Sequence, residues 1–195
     1  MKLIINTTVL PYFCCFYDEK NKNFFTEKWE NNKKSAEIIW KFLGQNLDKI
    51  KNLQYIGGVS GPGGFSNVRI CSIVINAINF TYKTPILSIS GDKWIEYFLK
   101  KNKYLENFFL LNSFGDNVFF KNEKKELEFL DIKIIAKKFG NQPMWVYALP
   151  EKKQKFFTKK IFIPEKQVQN SLFEALEKTK PIKNFAPYYG VHPVN

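Results

Sequence analysis

Apolar residues follow two rhythms along this chain. Over Lys2–Thr8 and Val9–Tyr17 they come in short runs rich in Ile, Val, Phe and Tyr, which predicts two strands. The polar cluster Asp18–Asn23 predicts a turn, and Phe24–Trp29 a third, shorter strand. From Lys33 to Lys51 the period becomes helical, with Ala36, Ile39, Trp40, Leu43, Leu47 and Ile50 on one stripe. Gln54–Val59 returns to strand, Ser60–Gly64 is a tight glycine-rich turn, and Phe65–Tyr82 is a second helix. Ile86–Ile89 is again a strand and Asp92–Lys103 an amphipathic helix.

The second half begins in the same order. Asn107–Phe114 and Asn117–Lys121 predict a hairpin about Gly115-Asp116, a turn-prone pair, and Glu126–Leu130 a third strand. Asp131–Phe139 reads as a short helix, Met144–Leu149 and Lys160–Ile163 as strands, and Glu165–Lys178 as a closing helix between Pro164 and Pro181. A three-strand meander followed by helix–strand units, used twice, is the plan of the actin-like ATPase (ASKHA) superfold. The expectation is therefore α/β, with two ribonuclease-H-like lobes: a first lobe over residues 1–104 and a reduced second lobe over 105–195. A fold of this kind does not by itself give a function.

Composition narrows the class. At 195 residues, 45% hydrophobic and 17% aromatic, the chain has the apolar content of a folded globule. No apolar run approaches the roughly 20 residues that span a bilayer. Asn6, Thr7, Thr8 and Pro11 interrupt the apolar start, which reads as strands and not as a signal peptide; the expected location is the cytoplasm, with no membrane partner. The formal charge is +12, and all basic residues but Arg69 are lysines, spread over nearly every loop. That distribution fits a solvated surface, while a basic field also attracts nucleic acid without specificity. Cys14, Cys15 and Cys71 form no CxxC pair and read as buried free thiols.

The strongest local signal is the run from Gly57 to Ile70, in which a strand leads through Gly61-Pro62-Gly63-Gly64 into a helix beginning at Phe65. Such a place holds an anion or is a structural turn, and the pattern alone leaves both open. A phosphate-binding P-loop is excluded, because no Gly-Lys-Ser/Thr follows. The helix after the turn is apolar around most of its circumference, with Arg69, Ser72, Asn76 and Asn79 as a narrow polar stripe. A helix of that kind is buried on more than one side, by its own sheet and by a second surface. On the preceding helix, Ile38 and Phe42 lie on a second face, as core or as part of that surface. Arg69 is either a structural cap or ion pair, or a site that needs planar, bidentate donors.

At these residues the chain resembles the TsaB family. Its Gly61-Pro62-Gly63-Gly64-Phe65-Ser66-Asn67-Val68-Arg69-Ile70 is similar to the family pattern Gly-Pro-Gly-Ser-Phe-Thr-Gly-Leu-Arg-Ile. The opening strand through Asn6-Thr7-Thr8, the segment from Thr84-Pro85-Ile86 to Ser90, and Pro187-Tyr188-Tyr189 resemble the family more loosely. The resemblance implies an actin-like fold that has lost its ATPase site and has no catalytic residues, metal or cofactor of its own. It implies a subunit that pairs, through its first two helices, with a TsaD-like catalytic paralogue. A TsaE-like ATPase completes an assembly that forms N6-threonylcarbamoyladenosine in tRNA, so tRNA is met through the complex. On that resemblance Ile38, Phe42, Arg69, Ile70, Ile73, Asn76 and Ala77 are expected at the partner surface, and Gly61, Pro62, Gly63, Gly64 and Phe65 form the motif turn. Whether the chain forms a homodimer where the partner is missing is left open by the sequence. The chain departs from the pattern at Asn6, where the family has Asp, and at Gly64, Ser66 and Asn67.

An independent enzyme is disfavoured. The single histidine, His192, stands three residues from the end, and the acidic residues are scattered beside lysines. Two alternatives stand beside the subunit reading. A small-molecule kinase or phosphotransferase of the same superfold needs an acidic residue where Asn6 stands. A basic RNA-binding module predicts tight, salt-dependent tRNA binding by the chain alone.

Overall fold

The computed structural model describes residues 1–30, 34–103, 108–112, 115–122, 127–147 and 149–189. His192 and the ends of several expected elements (Asn107, residues 113–114 and residue 126) lie outside them. Two compact units form: one from Met1–Gly91 and the chain from Leu176 onward, the other from Asp92–Ala175.

The first unit is built on a five-stranded sheet. Its strands are β1 (Lys2–Asn6), β2 (Tyr12–Asp18), β3 (Asn23–Trp29), β4 (Tyr55–Val59) and β5 (Ile86–Ile89), in the order β3-β2-β1-β4-β5. The first three form an antiparallel meander, and β4 and β5 add on in parallel to β1. Parallel strands need crossovers, supplied here by α1 (Ser35–Gly44) with α2 (Leu47–Ile50) before β4, and by α3 (Phe65–Tyr82) before β5. Every residue of β1 and β4 is buried, as central strands covered on both faces should be. Gly58 in β4 has a reason. A Cβ there would stand 2.6 Å from Ile75 Cδ1 and 3.1 Å from the Phe185 ring, so its absence lets α3 and the C-terminal segment close on the strand.

The second unit contains α4 (Gly91–Lys101) from Asp92 on, β6 (Phe108–Asn112), β7 (Asn117–Lys121), β8 (Glu128–Asp131), α5 (Ile132–Phe139), β9 (Met144–Tyr147), α6 (Glu151–Gln154), β10 (Lys160–Phe162) and most of α7 (Glu165–Glu177). Its sheet runs β10-β9-β6-β7-β8, with β6, β7 and β8 antiparallel and β9 and β10 parallel to β6. That is the order of the first sheet repeated, which is the duplicated plan the element order predicts. Asp131 caps α5 by accepting from the Lys133 amide at 2.7 Å. The core here is built on Leu110, Phe120, Ile132, Ile135, Val146 and Phe157.

Two expectations are corrected. The helix expected over Lys33–Lys51 is interrupted: α1 ends at Gly44, and Asn46 donates its side-chain amide to Phe42 O at 2.7 Å. Glycine and asparagine are poor helix residues, and the amide competes for a helical carbonyl. Strand also does not run unbroken from Lys2 to Tyr17. Asn6 ends β1 by accepting from the amides of Thr8 and Val9, both at 3.2 Å, and donating to Val9 O at 2.7 Å. That folds Thr7–Pro11 into a turn before β2. The four-residue α6 was not anticipated.

Candidate functional site

Helix α3 turns part of its polar stripe inward. Ser72 Oγ donates to Phe185 O at 2.8 Å, and Asn76 Nδ2 donates to the same oxygen at 3.0 Å. The Phe185 amide in turn donates to Asn76 Oδ1 at 2.8 Å, and Asn79 Nδ2 donates to Thr84 O at 2.7 Å. Three of the four polar residues on the expected stripe therefore bind the chain's own backbone. The faces left over are largely apolar, and one of them is exposed: Ile73 is 60% and Phe80 77% exposed. Phe65, Arg69, Ile73, Ala77 and Phe80 recur at spacings of three and four along this open face.

The face continues onto the helix pair before it. Trp40 is 48% and Leu47 52% exposed, although both belong to the same apolar stripe as the buried Ile39, Leu43 and Ile50. Gly44, Ala77 and Tyr82 complete a cleft of about 250 Å³ between α1, α2 and α3, lined by no charged residue. The break at Gln45–Asn46 produces this surface. It re-aims the second segment so that Ile50 reaches the core while Leu47 stays out.

The structure sorts the seven residues expected at the partner surface. Arg69, Ile73 and Ala77 are exposed on α3. Phe42 is buried in the core, with its ring 5.4 Å from that of Phe16, and Ile38 packs half-buried against the same cluster. Both line a shallow depression of about 400 Å³ on another side of α1, but its rim carries Glu27, Lys34, Glu37 and Lys41 and is a solvated surface. Ile70 packs against the core, and Asn76 is engaged with Phe185. Sequence reasoning missed Trp40, Leu47 and Phe80 as surface residues. The available signal was Gly44 with Asn46 inside an apparently continuous helix.

The glycine turn is filled by the chain itself. Tyr188 N donates to Ser60 O at 2.7 Å, and Gly61 adopts φ +138° with its Cα against the Tyr188 carbonyl. A Cβ on Gly61 would fall 1.6 Å from that oxygen. Close approach of the C-terminal segment accounts for the glycine, which is the structural-turn reading. Tyr189 then stacks on Phe65, ring centroids 5.2 Å apart, and the Arg69 guanidinium lies 5.0 Å from the other partner, the Phe65 ring. Among the described residues no three His, Cys, Asp or Glu side chains come together as a metal site, and no helix is long and apolar enough to cross a membrane. Burial pushes the Cys71 thiol up to about 12 and Cys15 to about 11, which leaves neither as a thiolate nucleophile.

Two sheets of the same strand order, each a meander extended by parallel strands, place the chain in the actin-like fold class. The solved structure of YeaZ from Pseudomonas aeruginosa shares that fold with a TM-score of 0.63 at 13% identity, over 96% of this chain and 99% of that one. A second structure, of an uncharacterized protein with similarity to peptidase YEAZ from Pseudomonas aeruginosa, matches with a TM-score of 0.58 at 12% identity, over 96% and 98%. In sequence, the chain is 32% identical over 53 residues to the tRNA threonylcarbamoyladenosine biosynthesis protein TsaB of Buchnera aphidicola subsp. Acyrthosiphon pisum (strain APS). That match spans 27% of this chain and 24% of the relative. No family model matches. The sequence match covers about a quarter of the relative's length, and the structural matches, at 12–13% identity, show the fold.

Proposed function

We propose that this chain works in the synthesis of N6-threonylcarbamoyladenosine in tRNA, as a non-catalytic subunit that pairs with a TsaD-like paralogue. A TsaE-like ATPase joins the complex, and tRNA is met through it. The observation that carries the reading is the open apolar face formed by Trp40, Leu47, Ile73, Ala77 and Phe80. Leaving such large side chains in water forgoes about 1.5–3 kcal/mol each, and contiguous exposed apolar surface marks interaction sites. The Asn6 side chain is spent on the backbone of Thr8 and Val9, and no carboxylate stands at its position, which removes support from the phosphotransferase alternative.

Co-expression with the paralogue from the same organism, followed by size-exclusion chromatography with light scattering, tests the proposal. A 1:1 complex that is lost on Trp40→Glu or Ile73→Glu is expected. Separate elution of the two proteins at low and moderate salt would overturn it.

A further inference from the structure

The positive charge of the chain is concentrated in one stretch of the second unit. Residues 132–160 hold eight lysines and a single acidic residue, Glu151, and so carry +7 of the formal +12. Three of these lysines are taken up locally. Lys133 pairs with Asp116 at 3.3 Å, the buried Lys153 donates to Gly115 O, and Lys160 donates to Phe157 O at 2.8 Å. Lys137, Lys138, Lys155 and Lys159 are exposed, and among the described residues none of the four makes an ion pair. The fold brings them to one corner. Lys137 and Lys138 stand in the last turn of α5, after which the chain bends at Gly140. Thr158 N donates to Gly140 O at 2.9 Å and Met144 N to Lys159 O at 3.0 Å, which lays residues 155–159 against the end of α5. A Cβ on Gly140 would stand 2.8 Å from Phe156 O, so the two segments touch. The dipole of α5 favours Lys137 and Lys138 at its C-terminus, but Lys159 follows no helix and answers no dipole.

We propose that this corner is a nucleic-acid contact, at which the chain takes backbone phosphates of the tRNA that the assembly modifies. The inference rests on the tRNA reading above and adds to it a working surface on the other unit. Like charges gathered on one corner repel one another, and a polyanion that meets them releases its own condensed counterions. Lysine suits the task. Its ammonium is a point charge with three rotatable donors, which grips phosphate and leaves the base unread. Asn141, Gln142 and Thr158, exposed at the same corner, add uncharged donors for phosphate and sugar oxygens. A lipid surface would ask for a broad apolar face beside the charges. Among the described residues of 132–160, Ile134 alone of the large apolar side chains is substantially exposed, at 49%.

The test is the affinity for fluorescently labelled tRNA, by anisotropy over a salt series, of the full-length chain alone and with its TsaD-like paralogue. Two variants of equal charge are compared. One carries Lys137→Gln, Lys138→Gln, Lys155→Gln and Lys159→Gln; the other carries Lys20→Gln, Lys100→Gln, Lys180→Gln and Lys183→Gln, four exposed lysines elsewhere. Thermal melts check that both are folded. The corner variant should weaken tRNA binding by roughly tenfold or more, and should lower the slope of log affinity against log salt by about 3. The second variant should stay within about twofold of wild type. Equal losses in the two variants would show a diffuse field and overturn the proposal, as would wild-type affinity in the corner variant. Corner-dependent binding to phosphatidylcholine vesicles carrying phosphatidylserine, with tRNA binding unchanged, would also overturn it. Pairing with the paralogue, followed by size-exclusion chromatography, should be the same in wild type and corner variant. Loss of pairing in the wild type, with corner-dependent tRNA binding retained, would overturn the subunit reading and leave the contact standing.

Discussion

Lys2 and Glu177, 175 positions apart, meet at 2.6 Å and tie the first residue of β1 to the last residue of α7. Glu19 approaches the same ammonium at 3.1 Å. Burial, the largest single influence on Lys2, pulls its pKa down, but the two carboxylates together hold it above the ordinary lysine value. A folded-state pKa raised in this way stabilises the fold fully below the unfolded value, about 10.4, and the contribution is lost as pH rises through the higher folded value. Because Glu177 is 43% exposed, solvent screening limits the effect. Glu177→Gln should cost about 1 kcal/mol at neutral pH, and the difference from wild type should shrink in the alkaline range. Thermal melts at a series of pH values check this; a gap that widens with alkalinity would contradict it.

The cysteines give a sharper chemical test. Cys14, Cys15 and Cys71 are free and buried, and burial raises all three thiols above their ordinary value. A thiol-modifying reagent at about pH 8 should react with the native protein only as fast as the fold opens, and with all three thiols at once in denaturant. A thiol that reacts rapidly in the native protein would contradict the packing of β2 against the core.

Core and proposed docking face should separate by mutation. Phe42→Ala should cost about 3–5 kcal/mol, because the ring sits in the core against Phe16. Trp40→Glu and Ile73→Glu should leave the melting temperature nearly unchanged, within about 0.5 kcal/mol, and act on association alone. Circular dichroism melts alongside size-exclusion chromatography distinguish the two. A folded Phe42→Ala that fails only to associate would put that ring back on the interface.

The order of elements was legible because period, turn residues and caps agreed: glycine and proline opened α3, and Asp131 capped α5. Which helix face is wet was not legible. The polar residues of α3 are inside because Ser72, Asn76 and Asn79 satisfy backbone groups that arrive from Thr84 and Phe185, and the chain position of a distant carbonyl leaves no mark near a serine. Nor did the stripe through Leu47 tell core from surface: a period assumes one continuous helix, and α1 ends at Gly44, before Leu47. The glycine turn was visible as a turn, but its occupant, Tyr188, stands far along the chain.

That occupant allows the most discriminating prediction. Gly61 and Gly115 both have positive φ, +138° and +57°, so alanine strains the backbone at each. They differ in what a methyl group would meet: the Tyr188 carbonyl at 1.6 Å for Gly61, and nothing within 4 Å for Gly115. Gly115→Ala should therefore cost only about 1 kcal/mol, the ordinary penalty of a left-handed residue. Gly61→Ala should cost about 2 kcal/mol or more, and it should do so by displacing the segment that carries Tyr188 and Tyr189. Limited proteolysis gives the second readout. Cleavage after Ile182 should accelerate in Gly61→Ala and not in Gly115→Ala, and the Phe65–Tyr189 stack should be lost with it. Equal stability and equal protease resistance in the two variants would mean that the C-terminal segment does not rest on the turn.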